Sequence, residues 1–281
     1  MFYCINLISL FLDYYQFIYT QNVWDLIILY DIIVEKASIY KIIYISLGGY
    51  MLEELIKNSD NIVFFGGAGV STESGIPDFR SVDGLYNKQY DYDPETIVSH
   101  GFFMRQTQEF YDFYKHRMIY EEARPNVAHL KLAELEKQGK LKAVITQNID
   151  GLHQMAGSKN VIELHGSIHR NYCMRCGKRY DLSEIVNSSG VPRCDCGGLI
   201  KPDVVLYGEA LNEDALDQAI KYINQADMLI IGGTSLMVYP AASLVNFYRG
   251  NKLVLINLGQ TTKDKHVDYF FQAKLGEMFD F

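Results

Sequence analysis

Two groups of residues in this chain carry chemistry that simple packing does not explain. The first is Gly66-Gly67-Ala68-Gly69-Val70-Ser71-Thr72-Glu73-Ser74-Gly75-Ile76-Pro77-Asp78-Phe79-Arg80. It follows Asn61-Ile62-Val63-Phe64-Phe65, a β-branched and aromatic run that reads as a buried strand. Glycine has no Cβ, so backbone N–H groups can approach a phosphate closely, and a helix opening there adds the positive end of its dipole. The stretch predicts a nucleotide pyrophosphate site, with an ordinary glycine turn as the alternative. The fingerprint G-x-G-x-x-G is not met, because Thr72 stands where a third glycine is required after Gly67 and Gly69.

The second group is Cys173-x-x-Cys176 and Cys194-x-Cys196, with 17 residues between the pairs. Four thiolates at knuckle spacing suit one tetrahedral zinc ion with no position left for water, so the predicted role is structural. Such an ion staples a small module whose own core is too thin to hold it. A redox C-x-x-C and a nucleic-acid-binding ribbon are the alternatives; the presence of two pairs speaks against the first.

These residues need a frame, and the apolar runs supply one. Val144-Ile145-Thr146 leads into Gln147-Asn148-Ile149-Asp150-Gly151-Leu152-His153, and Val161-Ile162-Glu163-Leu164 into His165-Gly166-Ser167. Met228-Leu229-Ile230-Ile231 leads into Gly232-Gly233-Thr234-Ser235, and Leu253-Val254-Leu255-Ile256 into Asn257-Leu258-Gly259. Helical patterns over 127–138 and 213–224 separate these strands. The alternation predicts an α/β fold: a doubly wound, parallel, Rossmann-like sheet with a small zinc-ribbon and helical module inserted. In such a sheet the polar strand-end loops gather along one edge, at the crevice where strand order reverses.

The chain has 281 residues, enough for one large domain plus a small module, and a net charge of −8. That charge argues against a general nucleic-acid binder, which needs a basic face to release phosphate counterions. It suits cationic partners such as lysine-bearing peptides. Four of the five cysteines fall in one cluster, which predicts a metal and a reducing, cytoplasmic setting rather than a disulfide scaffold.

Residues 1–50 differ from the rest, being crowded with Ile, Tyr, Phe and Leu and containing no Pro. Asp13, Asp25 and Asp31 interrupt them, so no uncharged run reaches the roughly 18 residues of a membrane span, and no Lys or Arg precedes Lys36. Their composition is that of translated AT-rich DNA. The expectation is a start at Met51, where Met51-Leu52-Glu53-Glu54-Leu55 opens an amphipathic helix; an N-terminal interaction helix is the alternative.

Taken together, GAGVSTESGIPDFR (67–80), PNVAH (125–129), TQNIDGLH (146–153), ELHGS (163–167), the cysteine quartet, YGEAL (207–211), GGTSLMVYPA (232–241) and INLG (256–259) resemble the sirtuins. These are NAD-dependent protein lysine deacylases, and the likeness is to the bacterial members. It spans 51–281, with Rossmann-like parts at 51–80, 126–167 and 203–281, a small module at 81–125 and the zinc ribbon at 168–202. The resemblance implies that Ala68 and Thr72 line the phosphates of NAD. It puts Phe79 and Arg80 on a cofactor loop, Gln147, Ile149 and Asp150 around the nicotinamide ribose, and Asn148 beside them. Thr234, Ser235 and Asn257 match contacts to the adenosine half, and Lys274 falls near the adenine. Val205 and Val238 border an extended acyl-lysine peptide.

By the same resemblance the acyl oxygen attacks the ribose as nicotinamide leaves, releasing O-acyl-ADP-ribose. Asp150 and Asn148 then orient nicotinamide, and His165 serves as general base on a ribose hydroxyl. His153, His169 and His266 are read as solvated or capping residues, and His129 as packing at a helix start. Tyr114 and Arg117, three apart on one helix, match a pair that admits succinyl or malonyl groups in some members. Two other readings of the same site are protein mono-ADP-ribosyl transfer or NAD hydrolysis, and non-catalytic sensing of NAD or ADP-ribose. A sensor has no need of a base.

Overall fold

The computed structural model describes residues 44–78, 92–259 and 267–281. Phe79, Arg80, His266, the start of the 81–125 module and nearly all of 1–50 lie outside the described residues. The chain divides into two units, Met1–Leu47 and Gly48–Phe281, and every described strand belongs to the second.

Helical residues 48–57 open this unit and bury Leu52 and Ile56, one turn apart on a single face. The strands are β1 (Ile62–Gly66), β2 (Leu141–Thr146), β3 (Val161–Glu163), β4 (Gly166–Cys173), β5 (Arg179–Tyr180), β6 (Ile200–Val204), β7 (Met228–Gly232), β8 (Leu253–Ile256) and β9 (Tyr269–Phe271). One six-stranded sheet has the order β3-β2-β1-β7-β8-β9, with every pairing parallel. β1 and β7 are buried along their whole length, as strands covered on both faces must be.

The two sheet faces sort the alternating side chains. Val63, Phe65, Ile145, Leu229 and Ile231 pack with Ala219 and Ile223 of the helix Glu213–Gln225. Phe64 points the other way, onto Phe279 and His153. Order reverses between β1 and β7, whose ends Gly66 and Gly232 are register partners. That reversal opens the crevice where an open α/β sheet binds its ligand.

The inserted part is one body. β5-β4-β6 form a small antiparallel sheet carrying the cysteines. Its Cys173, Tyr180, Ile185 and Ile200 share a core with Phe102 and Phe103 of the helix His100–Arg105, and with Phe110, Tyr111 and Tyr114 of the helix Thr107–Arg117. Lys115 reinforces the join by donating to the Ser188 and Gly190 carbonyls at 2.7 and 3.1 Å. The strands entering and leaving the ribbon meet at its base, where Gly166 and Val204 are register partners. Only glycine fits there: Gly166 has φ +76°, and a Cβ would stand 1.9 Å from the Asp203 carbonyl oxygen.

Candidate active site

A cavity of about 970 Å³ runs along the crevice, at the upper end of what small-ligand pockets occupy. Its floor is the crossing of two glycine loops. The Gly67 and Gly69 amides donate to the carbonyls of Gly232 and Gly233 at 3.1 and 2.8 Å. A Cβ on Gly69 would lie 2.7 Å from the Gly233 Cα, so the two backbones touch. The expected helix at this loop is absent from the described residues. Ala68–Val70 and Thr72–Ser74 form two 3-10 turns instead, and Gly75 ends the second in the left-handed region. The carbonyls of Gly67, Ala68, Ser71 and Thr72 each accept from the residue three further on, at 3.0, 3.0, 3.0 and 3.1 Å, where an α-helix would use the fourth, so no α-helix dipole opens at this loop.

Strand β2 delivers the reactive group of side chains. Ser71 Oγ donates to Asp150 Oδ2 at 2.6 Å and accepts the Asn148 side-chain N–H at 3.0 Å. The Leu152 N–H, at 2.9 Å, holds the other carboxylate oxygen. Asn148 is itself steered by its own N–H on the Thr146 hydroxyl at 3.0 Å. Ser71 is 1% exposed and bonds to two of the three predicted catalytic residues, yet sequence reasoning does not single it out. Nothing local marks it, since Thr72 and Ser74 are hydroxyl residues of the same loop.

His165 stands in the turn between β3 and β4 and faces the same cavity. Its Nδ1 lies 2.9 Å from the Gln147 carbonyl oxygen. A carbonyl can only accept, so Nδ1 carries the proton and Nε2 keeps a free lone pair. Burial lowers the pKa of this imidazole, the Gln147 carbonyl partly opposing. The result is a neutral ring with one basic nitrogen. Gln147 also donates to the Thr234 hydroxyl at 3.1 Å, which links the β2 and β7 loops. Leu236 beyond it is buried with φ +55°, an uncommon and costly conformation for a branched residue.

Ala68, Thr72, Gln147, Asn148, Ile149, Asp150, Thr234, Ser235, Asn257 and Lys274 all line this one cavity, and so do Val205 and Val238. The Val205 N–H donates to the His165 carbonyl at 3.0 Å, which sets the segment after β6 beside the histidine. The segment is braced from behind. Lys201 is 4% exposed and donates to the Val204 carbonyl at 2.9 Å and to Glu209 Oε2 at 3.0 Å. Glu209 Oε1 meets His100 Nδ1 at 2.8 Å.

The structure separates Tyr114 from Arg117. Arg117 reaches the cavity wall, but Tyr114 is 0% exposed, stacked on Phe110, with its hydroxyl sealed in the core. The helix turns Tyr114 toward the apolar cluster, and three residues on the chain emerges at its solvent side.

His129 and His153 lie away from the cavity lining, and His153 is neither solvated nor a cap. Both are buried, with ring centroids 4.7 Å apart. His129 Nδ1 accepts the Asn126 N–H at 3.3 Å, and the Asn126 side chain donates to the Val70 carbonyl and to Ser74 Oγ at 2.8 and 3.0 Å. This N-cap therefore also pins the glycine loop.

Away from the cavity, the sulfurs of Cys173, Cys176, Cys194 and Cys196 lie within 4.8 Å of one another. Cys173–Cys196 and Cys176–Cys194 are 3.5 and 3.6 Å apart, close to the roughly 3.8 Å edge of a tetrahedral Zn–S₄ unit with about 2.3 Å bonds. The four donors are all soft sulfur and fit one zinc ion.

The chain matches the Sir2 family over residues 67–240. It is 60% identical to an NAD-dependent protein deacetylase of Clostridium tetani over 81% of this chain and 94% of that one. A Sir2 structure holding a deacetylated p53 peptide and 3'-O-acetyl-ADP-ribose superposes with TM-score 0.77 and 42% identity, covering 82% and 95% of the two chains. Another, of Sir2 with a p53 peptide and NAD+, gives 0.73 and 43% over 82% and 95%. Sequence motifs, sheet order and the relatives agree, and the chain belongs to the Sir2 (sirtuin) family.

Proposed function

We propose that this protein is an NAD-dependent protein lysine deacetylase whose general base is His165. The observation that carries the reading is the Nδ1 bond to the Gln147 carbonyl, which leaves Nε2 basic in the cavity that also holds the Asp150–Ser71–Asn148 chain. The name of the clostridial relative, and the Sir2 neighbours holding peptide with NAD+ or with acetyl-ADP-ribose, support it.

NAD supplies a ribose that loses nicotinamide and accepts the acyl group, leaving O-acetyl-ADP-ribose. The protein supplies position and polarity. The glycine loop with Ala68 and Thr72 holds the phosphate part, and Thr234, Ser235, Asn257 and Lys274 hold the adenosine part. Phe79 and Arg80 belong to the same reading, at the nicotinamide side. Asn148 and Asp150, kept rigid by Ser71, orient the nicotinamide–ribose with Gln147 and Ile149. His165 Nε2 takes the proton of a ribose hydroxyl. The acyl-lysine peptide lies extended between the segments carrying Val205 and Val238, adding main-chain pairing. The acyl group is acetyl: Arg117 lines the cavity without Tyr114, so the carboxylate clamp of an acidic acyl group has one arm. The partners are acylated proteins, with neither nucleic acid nor membrane involved, and the setting is cytoplasmic. Among the described residues no helix is long and apolar enough to cross a membrane.

The test is incubation with NAD and an acetyl-lysine peptide, with nicotinamide and acetyl-ADP-ribose followed by mass spectrometry. The His165→Tyr variant is expected to lose at least about a hundredfold in turnover. ADP-ribosylated protein, or free ADP-ribose without acetyl transfer, would replace this reading by the transferase or hydrolase one. A succinyl peptide turned over as fast as the acetyl peptide would overturn the acyl assignment.

A further inference from the structure

Glu73 has no part in the chemistry above, yet its carboxylate spans two walls of the cavity. It stands in the second 3-10 turn of the glycine loop, and Oε2 accepts the Gly276 N–H at 2.7 Å. Gly276 lies in the helix Leu275–Phe279, directly after Lys274 and Leu275, which line the cavity together with Glu73. The close approach depends on the glycine. A Cβ there would lie 2.7 Å from Glu73 Oε1 and 3.0 Å from Oε2, and these are the nearest atoms it would meet.

The other side of the same segment is fastened to the β8 loop. The Asn257 N–H donates to the Phe271 carbonyl at 3.1 Å, and the Gln272 side chain donates to the Leu258 carbonyl at 3.1 Å. Residues 273–275 thus run between the β8 loop and the glycine loop, with Glu73 joining them to the latter. A carboxylate on a backbone N–H at a helix start satisfies a donor that the helix itself cannot, and such charge-assisted bonds are among the stronger ones.

We propose that Glu73 is a positioning residue for NAD: it holds the 273–275 wall against the glycine loop and so sets the width of the cavity at its adenosine end. This rests on the reading of that end as the NAD site. Glu73 touches no reacting atom, so it acts on NAD affinity and leaves the chemical step alone.

Steady-state nicotinamide release tests it, with NAD and acetyl-peptide varied separately. Glu73→Ala is expected to raise KM for NAD roughly three- to tenfold, with kcat at saturating NAD and KM for the peptide within about twofold of wild type. Glu73→Gln keeps an acceptor oxygen and should return KM to near the wild-type value. Gly276→Ala, whose new methyl displaces only the flexible carboxylate, should behave as Glu73→Ala does. An unchanged KM for NAD in Glu73→Ala, alongside a raised one in Asn257→Ala, overturns the role of Glu73 and leaves the NAD site standing. Unchanged values in both variants overturn the site reading itself. A fall in kcat and melting temperature without a selective change in KM for NAD, or a Gln variant as impaired as the Ala one, also overturns the proposal.

Discussion

His165 is buried, and burial holds its pKa below the ordinary imidazole value near 6.5. A base with a lowered pKa stays unprotonated further into acid. The acid limb of kcat/KM for the deacetylase is therefore expected below pH 6.5, and a limb at or above that value would contradict the assigned protonation state. Ser71 gives a second expectation at this scale. Ser71→Ala strips one partner from Asp150 and another from Asn148 at once. A buried amide left unpaired costs about 1–3 kcal/mol, so turnover should drop about tenfold or more with the fold intact by circular dichroism. A variant with full activity would mean that the Asp150–Ser71–Asn148 chain has no role in holding the ligand.

Among the elements, the β3–β4 corner is the least forgiving. Gly166→Ala combines a left-handed backbone with a Cβ 1.9 Å from the Asp203 carbonyl oxygen, so the crossing of β4 and β6 must move. We expect a loss of more than about 2 kcal/mol, read as a lower melting temperature, with turnover falling because His165 and Val205 flank that crossing. The glycine in ELHGS is visible in the sequence, but its reason is a chain far along in sequence, and only the fold supplies that. The same division runs through the molecule. The large parallel sheet was legible because Ile62–Phe65, Val144–Thr146 and Met228–Ile231 are apolar runs that stop at glycine or polar residues. The short strand Tyr269–Phe271 offered too few residues for a period. The helix expected to open at the glycine loop gave way to 3-10 turns, with carbonyls bonded three residues on, while the Gly67 and Gly69 amides go to Gly232 and Gly233, partners no local pattern announces. Tyr114 and Arg117 shared a spacing but not a destination, since packing against Phe110 decides where the tyrosine points. The ribbon and the helical part share one core built from residues far apart in sequence, which no local pattern specifies.

At the scale of the whole molecule, the buried histidines tie stability to acidity. Burial lowers the pKa of His129 to about 4 and that of His153 to about 3; the neighbouring His129 lowers the latter further, and Asp150 opposes the shift in the former. Between these values and about 6.5 the unfolded chain binds more protons than the folded one. Stability is then complete above pH 6.5 and declines as the pH falls, by up to about 1.4 kcal/mol per unit for each ring, until the folded values are reached. Urea midpoints between pH 7 and pH 5 should show the slope. His153→Phe, which keeps a ring beside Phe64 without the titrating nitrogens, should make it shallower; an equal slope in both proteins would place the acid sensitivity elsewhere.

The ribbon meets the cavity at one corner, with His165 just before its incoming strand and Val205 just after its outgoing one. Its four oxidisable sulfurs fit one zinc ion, and an ion bound there would staple the ribbon's fold. A peroxide that never enters the crevice should therefore silence deacetylation from a distance. Zinc captured by a chromophoric chelator is expected to appear in step with the loss of turnover, and dithiothreitol with added zinc to restore both. Full turnover after one equivalent of zinc has been shed would show that the corner does not transmit. If it does, NAD consumption by this protein is answerable to the redox state of its surroundings as well as to the supply of its substrates.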